Sequence, residues 1–255
     1  MKFTDQMGRS VELPDIPKRI VSLVPSQTEL LHDLGLNKEV VGITKFCIHP
    51  AHWRKEKVIV GGTKQVHFNR IEELSPDLII GNKEENEEGF INELATRYPV
   101  WMSDIASLNE ALDMMEAIGQ LIGREKEAEA LVVDVLSAFA PLQEQSLKKR
   151  RAVYLIWKDP YMAAGKNTFV DEMLSMAGFE NLVKETRYPE LRLEDIKVLD
   201  PEVILLSSEP YPFQEKHMSE IRNELPGVEM RLVDGEMFSW YGSRLLKAPA
   251  YFQAL

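Results

Sequence analysis

At 255 residues, with 44% hydrophobic and 28% charged residues, the chain has the composition of a globular protein that can bury a sizeable core as one domain or two lobes. Its 30 Lys plus Arg against 41 Asp plus Glu leave a net charge of -11, which opposes nucleic acid and anionic membrane surfaces. The single cysteine, Cys47, excludes an internal disulfide and a cysteine-rich zinc site, and no apolar run approaches the ~18 residues of a membrane span.

The first residues, "MKFTDQMGRSVELPDIPKRIVSLVPS", lack the apolar stretch of a signal peptide. Two readings follow: a cytoplasmic protein, or a chain whose export address has been removed. Ile20 to Val24 form an apolar run suited to a buried parallel strand, stopped by Pro25. Ser26 stands three residues before Glu29, the spacing of a capping box, with Leu30, Leu31 and Leu34 at helical intervals and Gly35 as the stop. Further strands are expected in "EVVGITKFCIHP", "KVIVGGTK" and "SPDLIIGNKEEN", each followed by a loop. The acidic run Lys83 to Glu88 reads most simply as a solvated helix start, where carboxylates favour the positive end of the helix dipole.

From Glu125 to Lys149 there is no Gly, and Pro141 is the one Pro. Ala128, Leu131, Val132, Val135, Leu136, Phe139 and Leu142 recur at intervals of three and four, so a helix of ~25 residues, about 37 Å long, is expected, with Pro141 as a kink or end. A second strand and helix set follows in "RRAVYLIWKDPYM", "TFVDEMLSMAGF" and "DPEVILLSSEPYP". The alternation predicts an α/β fold of two Rossmann-like lobes with parallel sheets joined by one long helix. The expected boundaries are residues 1–124 for the first lobe, 125–149 for the connecting helix and 150–255 for the second lobe.

An internal repeat accompanies this division. "RIEELSPDLIIGNKE" aligns with "RLEDIKVLDPEVILLSSE" when three residues are allowed between helix and strand, so that Pro76 falls on Pro201, Asp77 on Glu202, Ile79 on Ile204 and Glu84 on Glu209. Two unrelated buried strands would give the same short match. If the repeat is real, Glu84 and Glu209 stand at the carboxyl ends of equivalent strands.

Ligands of parallel α/β sheets bind beyond the carboxyl ends of strands. The segments expected there, "PSQTE", "KFCIHPAHW", "GGTK", "GNKEEN", "WKDPYM", "SSEPYPF" and "FSWYGSR", are rich in aromatic residues, Pro and Lys. Ser26 has no G-x-S-x-G context, and neither a Walker lysine loop nor a G-x-G-x-x-G appears. His49 and His52, with His67, form the one candidate metal group, but Pro50 turns the segment and surface His pairs are common, so no metal ligand is assigned. Cys47 reads as a small buried residue. In "GEMFSWYGSRL", Gly242 and Ser243 break the helical spacing of Phe238, Trp240 and Tyr241 and put them on a loop; burial against their own lobe is the competing reading.

Five segments in this order, "RIVSLVPSQTELLHDLG", "VVGITKFCIHP", "LSPDLIIGNKEEN", "DPYMAAGKNTFVDEMLSMAGFENL" and "FSWYGSRL", resemble the helical-backbone (class III) substrate-binding proteins of ABC importers, the vitamin B12 and iron-siderophore receptor group. The resemblance spans nearly the whole chain. It implies a non-enzymatic monomer with no intrinsic cofactor, which binds a corrinoid or iron chelate in a cleft between two lobes with little closure. The ligand-facing residues it implies are Ser26, Gln27, Phe46, Trp157, Tyr161, Arg187, Tyr188, Phe238, Trp240, Tyr241 and Arg244. It also implies docking on arginines of an ABC permease through Glu84, or its neighbours Glu85 and Glu88, and Glu209. Members of the family that are exported carry a signal peptide or lipid anchor ahead of "FTDQMGR", so the expected location is periplasmic if an address was removed and cytoplasmic if Met1 is the native start. Two other readings stand beside this one: a signal-free cytoplasmic corrinoid or chelate binder, and a metal-dependent enzyme using His49, His52 and Glu29.

Overall fold

The computed structural model describes residues 1–143 and 148–255, and residues 144–147 of the expected connecting helix lie outside them. Contacts divide the chain into two compact units. The first takes Met1–Asp104, Asn109–Val135 and Tyr241–Arg244, and the second takes Ile105–Leu108, Leu136–Trp240 and Leu245–Leu255.

The first unit opens with an antiparallel hairpin of β1 (Lys2–Thr4) and β2 (Ser10–Glu12). Then come β3 (Ile20–Ser22), α1 (Pro25–Asp33), β4 (Val40–Ile43), the single turn α2 (Trp53–Glu56) and β5 (Val58–Ile59). The unit continues through α3 (Phe68–Leu74), β6 (Leu78–Asn82), α4 (Glu88–Ala95) and β7 (Val100–Ser103). The five strands β5-β4-β3-β6-β7 form one parallel sheet. Buried on both faces, β3, β6 and β7 open with consecutive apolar residues rather than alternating ones, and each closes on a buried polar residue, Ser22, Asn82 or Ser103. One core cluster gathers Val21, Leu23, Val60, Ile71, Ile79, Phe90 and Met102.

The start of α1 corrects the capping-box expectation. The helix begins at Pro25 behind Val24, which offers no side-chain cap, because the fixed φ of proline suits the first helical position. Ser26 therefore lies within the first turn and Glu29 turns to another partner. At α4 the acidic run does start a helix. Glu87 is its N-cap, with Oε1 accepting from Gly89 N at 2.9 Å and Oε2 from Phe90 N at 3.0 Å, and these bonds hold its carboxyl below the usual range.

Helix α5 (Leu108–Ile122) leads to α6 (Glu125–Gln143), which is divided between the two units at Val135 and Leu136. Pro141 lies inside α6 without ending it, while Lys148 and Lys149 are not helical. Its buried face is Ala128, Val132, Val135, Phe139 and Leu142, whereas Leu136 is exposed.

The second unit contains β8 (Arg150–Trp157), β9 (Tyr161–Ala163), α7 (Phe169–Met176), β10 (Phe179–Asn181), β11 (Glu190–Leu191) and α8 (Leu193–Leu199). It continues with β12 (Val203–Ser207), α9 (Glu215–Glu224), β13 (Glu229–Val233), the short α10 (Glu236–Ser239), a 3-10 turn at Ser243–Leu246 and α11 (Ala248–Gln253). Strands β10, β8, β12 and β13 are parallel, but β9 runs antiparallel to the end of β8 and β11 antiparallel to β9. The parallel strands of the second sheet thus carry an added antiparallel hairpin, because only three residues link Trp157 to Tyr161 and a parallel return needs a crossover of a dozen or more.

The internal repeat is a structural one. β3, β6 and β7 with their neighbour β4 match β8, β12 and β13 with β10 in order and direction. The helices before β6 and β12 end on Ser75 (φ 44) and Asp200 (φ 50), both left-handed and both followed by proline. Asp77 accepts from Lys18 N and Arg19 N at 2.8 Å each, and Glu202 accepts from Arg151 N at 2.8 Å, so each acid ties the start of its strand to the neighbouring one. Beyond the strands, Asn82 Oδ1 accepts from Glu84 N at 2.8 Å and Ser207 Oγ from Glu209 N at 3.3 Å.

Candidate functional site

In the second unit the carboxyl ends of β8 and β12 carry a group of rings. Trp157, the last residue of β8, is 39% exposed and meets Tyr211 edge on, with ring centroids 5.6 Å apart. Tyr211 in turn packs against Phe213 at 4.8 Å and His217 at 5.3 Å. Tyr161, half-buried, has its phenol pushed up by burial, against the pull of Lys158. Lys158 is paired with Glu220 of α9. The platform is apolar across its face and polar at its edge, which suits a broad planar ligand.

Of the residues expected to face a ligand, Trp157 and Tyr161 belong to this group. Arg187 is exposed with a left-handed backbone (φ 68), its carbonyl accepting from Gly165 N at 2.7 Å, and Tyr188 beside it is half-buried. Gly165 is required there, because a Cβ would stand 2.1 Å from the Glu185 carbonyl oxygen. Tyr211, Phe213 and His217 were not singled out in the sequence. Their signal was the segment "SSEPYPF" at a strand end, followed by a histidine at the third position of a helix.

In the first unit Phe46 is 50% exposed in the loop after β4, with Lys45 Nζ 5.0 Å from its ring centre. Ser26 and Gln27 are buried. Gln27 Nε2 donates to Ser103 Oγ at 2.6 Å, and Asn82 Nδ2 donates to the same hydroxyl at 2.9 Å. Gln27, expected to face a ligand, is fully buried: its Nε2 is bonded inside the fold, and its Oε1 is buried without a hydrogen-bond partner.

The loop "FSWYGSRL" departs furthest from the expected ligand wall. Phe238 is fully buried, with its ring 4.9 Å from Phe252 and 5.1 Å from Tyr154, and belongs to the core of the second unit. Trp240 and Tyr241 are buried, and Trp240 Nε1 donates to Glu209 Oε1 at 2.7 Å. Arg244 makes a bidentate pair with Glu29 within the first unit, Nε to Oε2 at 2.8 Å and Nη2 to Oε1 at 2.6 Å. Gly242 permits this path, since its φ is 113 and a Cβ would lie 3.3 Å from Leu30 Cβ. Three large rings and a guanidinium bury where apolar contact and a matched carboxylate offset their dehydration.

The four glutamates differ among themselves. Glu88 is exposed at the first position of α4, and Glu84 is half-buried with its carbonyl accepting from Lys64 Nζ. Glu85 is half-buried, and burial raises its carboxyl, with Glu84 adding to the rise and Lys64 opposing it. Glu209 is half-buried and held by two donors on Oε1, Ser239 Oγ and Trp240 Nε1, both at 2.7 Å.

His52 stands edge on to His32 at 5.8 Å and close to Trp53. Among the described residues no three His, Cys, Asp or Glu side chains group to hold a metal ion. Glu29 is committed to Arg244, which removes it from the enzyme reading with His49 and His52. Cys47 is buried between Thr28 Oγ1 and Thr44 Oγ1, and burial pushes its thiol up, which makes it a poor nucleophile.

A model of periplasmic binding proteins matches residues 20–226. A substrate-binding lipoprotein of an ABC transporter from Bacillus subtilis (strain 168), itself uncharacterized, is 31% identical over 213 residues, covering 79% of this chain and 67% of that protein. Among solved structures, the periplasmic vitamin B12 binding protein of Vibrio cholerae superposes with a TM-score of 0.80 at 21% identity, covering 94% of this chain and 98% of that one. The periplasmic heme-binding protein of Roseiflexus sp. RS-1 superposes with a TM-score of 0.78 at 21% identity, covering 93% and 98%.

Proposed function

The chain belongs to the periplasmic binding protein family, and from that premise we propose that it is the substrate-binding protein of an ABC importer, taking up a corrinoid, haem or other metal chelate. It is a carrier and not an enzyme, as its relatives are binding proteins of transporters. The lipoprotein name of the Bacillus subtilis relative supports a place outside the cytoplasm.

The observation that carries the ligand class is the exposed Trp157 edge on to Tyr211 at the carboxyl end of β8. A macrocycle or aromatic chelator presents a flat, partly apolar face that such a pair can cover, while Arg187 and Tyr188 are near in sequence to the paired edge strands and suit a carboxylate or amide rim. Phe46 is an exposed ring of the first unit. Glu84 and Glu209, at equivalent places in the two units, with Glu85 and Glu88 as neighbours of Glu84, are the proposed contacts to permease arginines.

Calorimetric titration with cyanocobalamin, hemin and a ferric siderophore tests this reading. At least one is expected to bind, and Trp157→Ala is expected to weaken that binding about tenfold, the loss of roughly 1.4 kcal/mol of aromatic contact. Binding of none of the three, or equal binding by Trp157→Ala, overturns it.

A further inference from the structure

The N-terminus of α9 is closed by an imidazole. The backbone N–H of Gln214, its N-cap residue, donates to His217 Nδ1 at 3.0 Å, a role that Glu or Gln takes in the usual capping box. A ring nitrogen that accepts a hydrogen bond carries no proton, so the neutral imidazole holds its proton on Nε2. Nε2 lies 3.2 Å from Tyr211 Oη and, bearing that proton, donates to it. The Tyr211 hydroxyl then has its own proton turned away from His217. The Tyr211 ring is the one that meets Trp157, and Phe213 packs against both Tyr211 and His217. One buried histidine thus joins α9, the loop after β12 and the aromatic platform.

We infer that His217 is a positioning residue: its neutral Nε2–H form holds Tyr211 and Trp157 for the ligand, and its protonation releases them, so that chelate binding is sensitive to acid. This rests on the ligand-binding reading of the platform given above.

The charged groups around the ring come from α9 and the turn between β8 and β9. Burial, then Lys216 of α9 and Lys158 of the turn, disfavour the imidazolium, while Glu220 of α9 and Asp159 of the turn favour it. The balance keeps the ring below its usual 6.5. A proton on Nδ1 would face the Gln214 N–H, donor against donor, and would put a positive charge at the positive end of the helix dipole. The unfolded chain therefore binds the proton more readily than the folded one. The stability of this corner is complete above the ordinary histidine value and is lost as the pH falls below it.

A glutamine at position 217 would cap Gln214 N at any pH, which separates the device from the cap itself. In the ligand-free protein, nitrogen-detected NMR at about pH 7.5 is expected to show His217 protonated on Nε2 alone and titrating below 6.5. The emission of Trp157, taken as the difference between the parent and Trp157→Phe, is expected to change between about pH 7.5 and about pH 5.5, and His217→Gln is expected to abolish that change. A proton on Nδ1, a ring that titrates above 6.5, or an acid response that survives His217→Gln overturns the inference. Where cyanocobalamin or hemin binds, its affinity is expected to fall about tenfold over the same range in the parent and less than about twofold in His217→Gln. If none of cyanocobalamin, hemin and the ferric siderophore binds, the proposed function fails, and the tautomer and emission results still decide the role of His217.

Discussion

Arg244 and Glu29 are 215 residues apart in sequence and share two hydrogen bonds in the interior of the first unit. Both side chains are more than nine-tenths buried, so removing one leaves the other charged and dehydrated. Arg244→Ala is expected to cost about 3 to 5 kcal/mol of stability in urea unfolding followed by tryptophan emission. Arg244→Lys is expected to recover only part of this, because an ammonium cannot make the planar two-point contact. An Arg244→Ala protein as stable as the parent would mean that the pair contributes nothing to folding. At this scale the sequence was misleading for a physical reason. An arginine on an aromatic loop looks the same whether it serves a ligand or a buried carboxylate, and Glu29, placed three residues after Ser26, looked like part of a cap.

At the scale of elements the two units repeat a device. Asp77 and Glu202 each follow a proline at the start of a central strand and accept backbone N–H groups from the neighbouring strand or the residues leading into it. Asp77 accepts two such bonds at 2.8 Å and Glu202 one, so truncation should hurt the first unit more. Hydrogen bonds to a charged acceptor contribute about 1.5 to 3 kcal/mol each when shielded and less when exposed. Asp77→Ala is therefore expected to cost about 2 kcal/mol and Glu202→Ala about 1 kcal/mol, measured as shifts in the urea midpoint at unchanged slope. No loss from either would show that the short match in sequence has no shared energetic role, and equal losses would show that the number of bonds does not set the cost. The repeat was legible in "SPDLII" and "DPEVIL" because the Pro-acid-apolar order encodes the helix stop and the buried strand together.

For the molecule as a whole, the repeat puts Glu84 and Glu209 two residues beyond matching strand ends, each with its backbone N–H accepted by the polar side chain that closes the strand. If these acids meet a permease, their charges act on encounter and register and leave the ligand untouched. Glu209→Gln keeps an oxygen for Ser239 and Trp240 while removing the charge, so it tests docking without releasing the loop. The double variant Glu84→Lys, Glu209→Gln is expected to reduce chelate uptake into vesicles carrying the cognate permease about tenfold or more, with its calorimetric affinity for the chelate unchanged. Uptake equal to the parent would remove these residues from the docking surface.

By itself the sequence determined the α/β class, the buried parallel strands, the helix from Glu125 and the family, because apolar periodicity, proline and glycine stops act over a few residues at a time. Whether a polar or aromatic side chain is exposed depends on groups far away in the chain, and that only the tertiary structure decided. It buried Phe238 against Tyr154 and Phe252 and left Trp157 at the surface. It gave Arg244 to Glu29 and Trp240 to Glu209. It also joined Tyr211 to His217, a pair whose chemistry rests on one backbone N–H at Gln214 selecting which ring nitrogen carries the proton.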